Sequence, residues 1–507
     1  MSNPGQGDAL LGAVRALYRA DNIDEFVAAD QQVSEWQWRA LRPVAAPASD
    51  LQTGPISGRP INRPEPGVHR ESRQIFRQHL DIALYRDVKS GRGSTRIHLD
   101  HGQIMSQIDS WRALIDDGAA RALASLEPVW TLPRPAAPAR VLVADVPLLR
   151  DPETALTSLR EALEAAFAGL AERTGEPPIV ARELYIVAQR IRSRVRTSHK
   201  FAHDYWATRL EVAVALAIDR PDGPVQRVRR EVRRRADVDA QALVASAARL
   251  VRARSGARPL TPGRYDVILA DDARTPARVS ISASPFSARG GPIGQIQDRD
   301  ERALGAYGWF APLVAHADSR WARRGLTRYQ PGQRLLGDRP RRGDPLTLVS
   351  DGTLRYGLYS RPIGDLGAPT RRFTIIDQGV VRGFSLSVRE AAVRHTGANG
   401  GVCNLAIAAG PHSESAIMTP GERPLVRVDV LDWLHVDTHT GAFSAAIGVG
   451  FALAGPSADD PPVAITGGIM RGNVFDMWAD ARLSADMDTA GWYYGPRWLR
   501  FGAIIIS

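Results

Sequence analysis

Lysine is almost missing from this chain: Lys89 and Lys200 are the only two in 507 residues. The formal net charge of +10 therefore rests almost wholly on arginine, in a sequence that is also rich in Ala, Gly and Pro. Clustered basic side chains gain affinity for phosphates by releasing counterions, which invites a nucleic-acid reading. A GC-rich coding sequence produces the same arginine bias, and charge bears on association and solubility rather than on fold. Nucleic acid is accordingly not expected as a partner. Cysteine is scarcer still. Cys403 alone excludes an internal disulfide framework and any multi-cysteine zinc site, and it fits a reducing compartment, so a cytoplasmic location is expected. No stretch approaches the roughly 18 uncharged apolar residues of a membrane span. The longest apolar run, Ala445 to Gly455, is Gly-rich and reads as a buried strand. The opening residues lack a basic segment followed by an apolar one, so no secretory leader is expected.

Signatures of autonomous chemistry are missing too. A catalytic zinc needs converging imidazoles or carboxylates, an open position for water and usually a Glu beside the first His. No His in the chain is followed by Glu. His199 and His203 are four apart in strand-like sequence, a spacing that separates side chains by about 13 Å; His435 and His439 share the spacing in a turn-rich segment. Either pair reads as ligands or as hydrogen-bonded surface histidines. Cys403 follows two glycines and lies eight residues after His395, a spacing open to a Cys–His pairing or to a small buried hydrophobe. There is no G-x-S-x-G elbow, no P-loop and no dinucleotide fingerprint.

The pattern that is present divides the chain into parts. Residues 1–66 read as a leading helix, with apolar spacing between Asp8 and Asp30, followed by Pro-rich coil from Leu41 to Pro66. Residues 67–257 read as an α/β domain with a mixed sheet and long helices. Strands are expected at Ile82–Tyr85, Ser94–Leu99 and Arg140–Val146, with a helix over Gln103–Ser125 and a stiff linker at Pro133–Pro138. Asp151 caps a helix with Pro152 at its first position and Leu156, Leu159, Leu163, Phe167 and Leu170 as its buried stripe, ending by Gly175. Two strands fill Glu183 to Ile218. In the first, Arg190, Arg192, Arg194 and Arg196 alternate with other residues, so period two puts all four guanidinium groups on one face, either a solvated surface or a groove for an acidic or peptide ligand. The run Arg227 to Arg235 reads as solvated and precedes a helix from Asp239 to Val251. Residues 258–507 lose the helical pattern and read as a mostly antiparallel β domain, with strands in YDVILA, ARVSISA, DPLTLVSDG, RRFTIIDQG, PLVRVDVL, GAFSAAIGVGFAL and LRFGAIIIS. The fold class expected overall is α+β.

The order of these segments is distinctive. DPLTLVSDGT (344–353), TIIDQGVVRGFSLSVREAAVRHTGANGGVCNL (374–405), DTHTGAFSAAIGVGFALAG (437–455) and ITGGIMRGNVFDMW (465–478) resemble the C-terminal domain of the TldD/PmbA family, once called modulators of DNA gyrase and understood as metallopeptidases. The resemblance extends over about Arg70 to Ser507. It implies that a catalytic subunit carries H-E-x-x-x-H early in the C-terminal domain and a cysteine near its end. In the corresponding interval, Pro285 to Gln333, this chain has only His316, followed by Ala317 and with Trp321 five positions on; the segment ADMDTAGWYYGPRWLRFG has no Cys. No residue inherits a catalytic or metal-binding role. GANGGVCNL is similar to the TldE, or PmbA, branch, which lacks the metal motif. The resemblance to that branch implies a heterodimer with a TldD-like subunit that carries the zinc, no cofactor on this chain, and unfolded or leader-bearing peptides bound as an added strand in a chamber. Gly400, Gly401, Cys403, Asn404 and Gly441 are the candidate chamber residues; Gly448 and Gly450 also suit close backbone approach or strand bends. Two alternatives stand beside this: a divergent hydrolase using Cys403 or an unusual metal site, and an arginine-rich DNA- or gyrase-associated binding protein.

Overall fold

The computed structural model describes residues 35–45, 48–51, 71–73, 79–99, 120, 126–127, 130, 136–170, 177–282 (221 and 277–278 apart), 304–453 (324, 338, 365–366 and 387 apart) and 462–507. The expected helices at Asp8–Asp30 and Gln103–Ser125 fall outside these residues or almost so.

The first sheet has nine strands: β1 (Glu35–Ala45), β2 (Ala48–Leu51), β3 (Glu71–Arg73), β4 (His79–Val88), β5 (Gly91–Leu99), β6 (Leu126–Glu127), β7 (Ile179–Thr197), β8 (Ala202–Ile218) and β9 (Val225–Val232). The long hairpin β7–β8 is its spine. β1 and β2 pair along one edge of β7, β8 takes the other, and β9 follows β8. Every described pairing here is antiparallel, so the expected mixed sheet is corrected: neighbours joined by short turns have no crossover long enough to run parallel. The coil expected from Leu41 onward is likewise strand over 41–45 and 48–51, because the open edge of β7 offers a backbone partner that composition cannot reveal.

Helices α1 (Val146–Arg150), α2 (Pro152–Ala168) and α3 (Ala240–Gly256) complete this half. Asp151 caps α2 by accepting from the Thr154 N–H at 3.1 Å, and Asp239 caps α3 through Ala242. α2 ends at Ala168, before Leu170 and the expected stop at Gly175. Its stripe of Leu156, Leu159 and Leu163 and the α3 stripe of Leu243, Val244, Ala247, Leu250 and Val251 pack on Leu184, Ile186, Leu210, Val212 and Val214 of the hairpin. Past this helical cover the same sheet face continues with Arg190, Arg192, Arg194 and Arg196. Asp204, on the paired strand, accepts from the last three at 3.0, 3.0 and 2.8 Å, and Arg190 donates to the Leu149 carbonyl.

Beyond α3 the chain builds two further sheets from β10 (Arg258–Pro259), β11 (Gly263–Leu269), β12 (Val279–Ser282), β13 (Leu348–Asp351), β14 (Arg372–Asp377), β15 (Val380–Val381), β16 (Asn404–Ile407), β17 (Leu425–Asp437), β18 (Ala442–Leu453), β19 (Val463–Thr466), β20 (Ile469–Asn473), β21 (Arg482–Leu483), β22 (Met487–Ala490), β23 (Tyr493–Pro496) and β24 (Leu499–Ile506). Strands β17, β18, β20, β24 and β11 pair in succession and β11 returns to β17, which closes a ring. Most pairings are antiparallel, as expected; β11–β17, β12–β17, β10–β19 and β16–β23 are parallel. The remaining sheet runs β15-β14-β13-β16-β23-β22. Between these two sheets lies the main core, with Phe310, Leu313, Leu348, Ile375, Leu405, Val428, Tyr493 and Phe501 each at most 2% exposed. Short helices such as Ala311–His316 and Val388–Val393 sit among the strands.

The expected strand at Arg140–Val146 is instead an irregular strap that enters α1 at Val146. Its backbone bonds are scattered over three places: Ala139 N–H donates to Pro362, Leu142 accepts from Tyr356, and Val143 accepts from Thr208. One side chain gathers these places. Arg233, expected to be solvated, is 7% exposed and donates to the carbonyls of Val143, Thr208, Gly357, Leu358 and Ser360 at 2.6–3.1 Å. Burial pulls its pKa down to about 10, so it remains charged at neutral pH. Replacing Arg233 by Met strands these carbonyls, and urea unfolding is expected to show a loss of about 3 kcal/mol, with Arg233→Lys in between because an ammonium has three donors and no planar fork. An unchanged midpoint in Arg233→Met contradicts this assignment.

Candidate functional site

β13 ends in a turn set by Asp351, whose carboxylate accepts from the backbone N–H and the hydroxyl of Thr353 at 2.8 and 2.7 Å. The loop over 352–371 packs on the GANGGVCNL segment at the start of β16. Four of the five sequence candidates meet here. Asn404 is fully buried; its amide donates to the Asp351 carbonyl and to Ser360 Oγ, both at 2.8 Å, and accepts from the Tyr359 N–H at 2.8 Å. Cys403 is 1% exposed, its N–H donates to Ser350 Oγ and its carbonyl accepts from the Tyr307 hydroxyl. Gly400 and Gly401 have φ of +79° and +83°. A Cβ at Gly400 would stand 2.9 Å from Thr370 Cα, so the turn accepts only glycine without displacing the loop, and the Gly400 carbonyl accepts from Arg361 at 3.0 Å. These side chains are spent on holding the loop. Reactive cysteines are partly exposed and sit among positive charge; the Cys403 thiol is 1% exposed and points to the Gly401 carbonyl at 3.8 Å.

Gly441 lies elsewhere, in the turn between β17 and β18, where a Cβ would meet the Phe475 ring at 2.5 Å. Phe475 belongs to an aromatic cluster around His316. That histidine ends a helix begun at Ala311, is 1% exposed, and has Trp321, Tyr329, His439 and Phe475 rings within 5.3–6.0 Å. Both ring nitrogens are engaged by backbone: Nε2 donates to the His439 carbonyl at 2.9 Å and Nδ1 accepts from the Arg328 N–H at 3.0 Å. Burial, with the Arg328 charge beside it, lowers its pKa to about 4. The same burial pushes the Tyr329 hydroxyl up. A zinc ion fits poorly here. Either hydrogen bond would have to break to free a lone pair, and the residue five positions on, Trp321, offers none. Among the described residues no three His, Cys, Asp or Glu side chains converge as a metal site. His435 donates to or accepts from Ser280 Oγ through Nδ1 at 3.0 Å on the outer strand pair, while His439 faces the His316 cluster, so the two do not converge as ligands.

Residues 321–506 match the family model of the PmbA/TldA metallopeptidase C-terminal domain. That stretch is similar to the C-terminal domain of this metallopeptidase family. No curated protein compared with it matches. The fold as a whole is similar to three crystal structures. A candidate modulator of DNA gyrase from Bacteroides thetaiotaomicron aligns over 100% of both chains with a TM-score of 0.66 and 13% identity. TldE from Thermococcus kodakarensis aligns over 96% of this chain and 99% of its own with a TM-score of 0.66 and 16% identity. A candidate gyrase modulator from Thermotoga maritima aligns over 93% and 96% with a TM-score of 0.64 and 12% identity. At such identities the likeness is one of fold, and it bears out the α+β class.

Sequence reasoning singled out GANGGVCNL but missed the partners that explain it, Ser350, Ser360, Arg361 and Thr370, because their contacts depend on loop geometry that no periodicity encodes. Two outcomes are expected. The Cys403 thiol reacts with a soluble alkylating reagent only after unfolding; rapid labelling of the native protein contradicts its burial. For His316, the folded pKa lies below the ordinary value near 6.5, so the unfolded chain binds the proton first as pH falls. Its contribution is therefore complete above pH 6.5 and lost between 6.5 and 4, amounting to about 3 kcal/mol. In urea titrations at pH 7 and pH 4.5, His316→Gln should lose less stability on acidification than the parent; equal losses contradict it.

Proposed function

We propose that this chain is the metal-free member of a two-subunit peptidase of the TldD/TldE type. A TldD-like partner holds the zinc and cleaves unfolded or leader-bearing peptides. This chain contributes the dimer interface and part of the peptide chamber, in the cytoplasm, with no cofactor of its own. The observation that carries the reading is His316: the one histidine in the interval where family resemblance looks for a metal motif has both nitrogens committed to backbone and a tryptophan five positions on. The match of residues 321–506 to the PmbA/TldA C-terminal domain and the fold shared with TldE support it. Gly400, Gly401, Cys403 and Asn404 act in this reading by fixing the chamber wall formed by the 352–371 loop, and Gly441 by fixing the turn at the His316 cluster.

The alternatives lose their physical footing. Arginines that would meet DNA are engaged within the fold: Arg192, Arg194 and Arg196 with Asp204, Arg227 with Glu183, Arg229 with Glu211, Arg230 with Asp272 and Arg234 with Asp237. A hydrolase built on Cys403 would need access to a thiol that is 1% exposed. No helix among the described residues is long and apolar enough to cross a membrane.

The test is purification of this chain alone and after co-expression with a TldD-like protein from the same source, followed by zinc analysis and a peptide-cleavage assay. The chain alone is expected to be zinc-free and inert, and the complex to hold about one zinc and to cleave. Stoichiometric zinc or cleavage in the chain alone overturns the reading.

A further inference from the structure

The strap that leads into α1 crosses β8 where Thr208 holds it. The Thr208 N–H donates to the Val143 carbonyl at 3.0 Å, and its hydroxyl oxygen accepts from the Asp145 N–H at 2.8 Å. That hydroxyl marks the face of β8 on which the strap lies, and period two puts Trp206 on the same face beside it. On the other side of the strap Tyr356 donates its N–H to the Leu142 carbonyl at 2.7 Å. With its backbone spent on these bonds, the strap turns side chains outward: Leu142 is 50% exposed, and Val146, the first residue of α1, is 52% exposed. Trp206 is 41% exposed. Three large apolar side chains thus gather around one crossing point, whereas the exposed hydrophobics of an ordinary surface stand singly.

Arginines frame this patch. Arg192 lies over the Trp206 ring at 5.8 Å, and Arg234 and Arg355 lie over the Tyr356 ring at 4.4 and 5.3 Å. Tyr356 is held at φ of +57°, a conformation that costs a non-glycine residue energy. Arg140 is two residues before Leu142, and Arg150 stands one helical turn on from Val146. Arg140, Arg150 and Arg355 are exposed, and among the described residues no carboxylate pairs with any of them. The described carboxylates nearby are engaged: Asp145 accepts from the Arg235 N–H, Asp151 caps α2, Asp204 takes Arg192 and Asp237 pairs with Arg234. Exposed Trp, Tyr and Arg side chains around an apolar centre are the composition that anchors protein interfaces, and uncommitted guanidinium groups at the rim call for carboxylates on the facing surface.

We propose that this patch, with Leu142, Val146, Trp206 and Tyr356 at its centre and Arg140 and Arg355 at its rim, is the docking surface for the zinc-bearing partner, which meets it with an apolar centre edged by carboxylates. That the occupant is this partner rests on the two-subunit reading above; the fit to an acidic-edged protein surface rests on exposure and charge alone. A partner seated here bears on the strap, and Arg233 ties the strap at Val143 to the loop at Gly357, Leu358 and Ser360. Docking and the 352–371 loop are thereby mechanically joined.

The experiment measures binding of the full chain to the TldD-like protein from the same source by biolayer interferometry. The double variant Leu142→Glu with Trp206→Glu should bind about 30-fold more weakly, the loss expected when anchoring side chains are replaced. Arg355→Glu should also weaken binding, and the affinity of the parent should fall as salt is raised. Val463→Glu, a change at an exposed apolar residue on β19, should bind as the parent does. The variants should keep the parent's thermal midpoint; if the double variant does not, Leu142→Glu alone decides, because the fold uses the Leu142 backbone and leaves its side chain half exposed. Parent-like binding by the patch variants, or an equal loss in Val463→Glu, overturns the surface assignment and leaves the two-subunit reading standing. No binding by the parent overturns both. Two controls use the chain without its partner: self-association in sedimentation that the double variant abolishes marks a contact between copies, and single-stranded oligonucleotide binding lost in the same variant marks a nucleic-acid surface. Either result overturns the proposal.

Discussion

The burial of Arg233 is the constraint that ties the first sheet to the loop of the second half. A guanidinium withdrawn from water is tolerated only when its donors are satisfied, and among the described residues carbonyls from three separate stretches take its N–H groups. One stretch is the strap at Val143, one is β8 at Thr208, and one is the Gly357–Ser360 loop that also binds Asn404. Thr208 and Asp145 tighten the same knot, the hydroxyl donating to the Arg233 carbonyl and the carboxylate accepting from the Arg235 N–H. The planar fork therefore sets where the loop 352–371 stands relative to the first sheet, and through Asn404 it sets where β16 begins.

Much of the fold was legible because it obeys a period. The capped helices at Pro152 and Ala240, the hairpin over Glu183–Ile218 and the longer C-terminal strands, β11, β12, β13, β14, β17, β18 and β24, announce themselves by spacing and by turn residues; the shorter ones, such as β10, β15 and β21, do not. What was not legible depends on partners distant in sequence. The Arg140–Val146 segment has β-branched composition, yet its backbone is claimed by three different partners and cannot join a ladder. Leu41–Ala45 contains Pro43 and looks like coil until the edge of β7 is there to receive it. Arg233 sits in a basic run whose other members are solvent-facing or ion-paired, and one position past β9 no alternation tells it apart.

For the candidate site the balance is similar. GANGGVCNL stood out for its glycines, and the positive φ values at Gly400 and Gly401 explain them, but as the geometry of a tight internal contact with Thr370. The absence of a metal motif was visible in the sequence; the reason His316 cannot stand in for one was not, since it lies in two backbone hydrogen bonds and in the ring packing of Trp321, Tyr329 and Phe475. Much of the basic character that first suggested phosphate binding is engaged in ion pairs within the fold along β7 and β9.

The ring of β17, β18, β20, β24 and β11 joins a strand at Gly263–Leu269 to one at Leu499–Ile506, far along the chain. During synthesis Gly263–Leu269 emerges long before Leu499–Ile506, and one of its edges must wait for that partner with its polar groups exposed. Long-range pairing of this kind is slow and prone to wrong neighbours. The hairpin of β7 and β8 needs none of the later residues for its own pairing, whereas its core is completed only when Val430 and Val449 of the ring arrive.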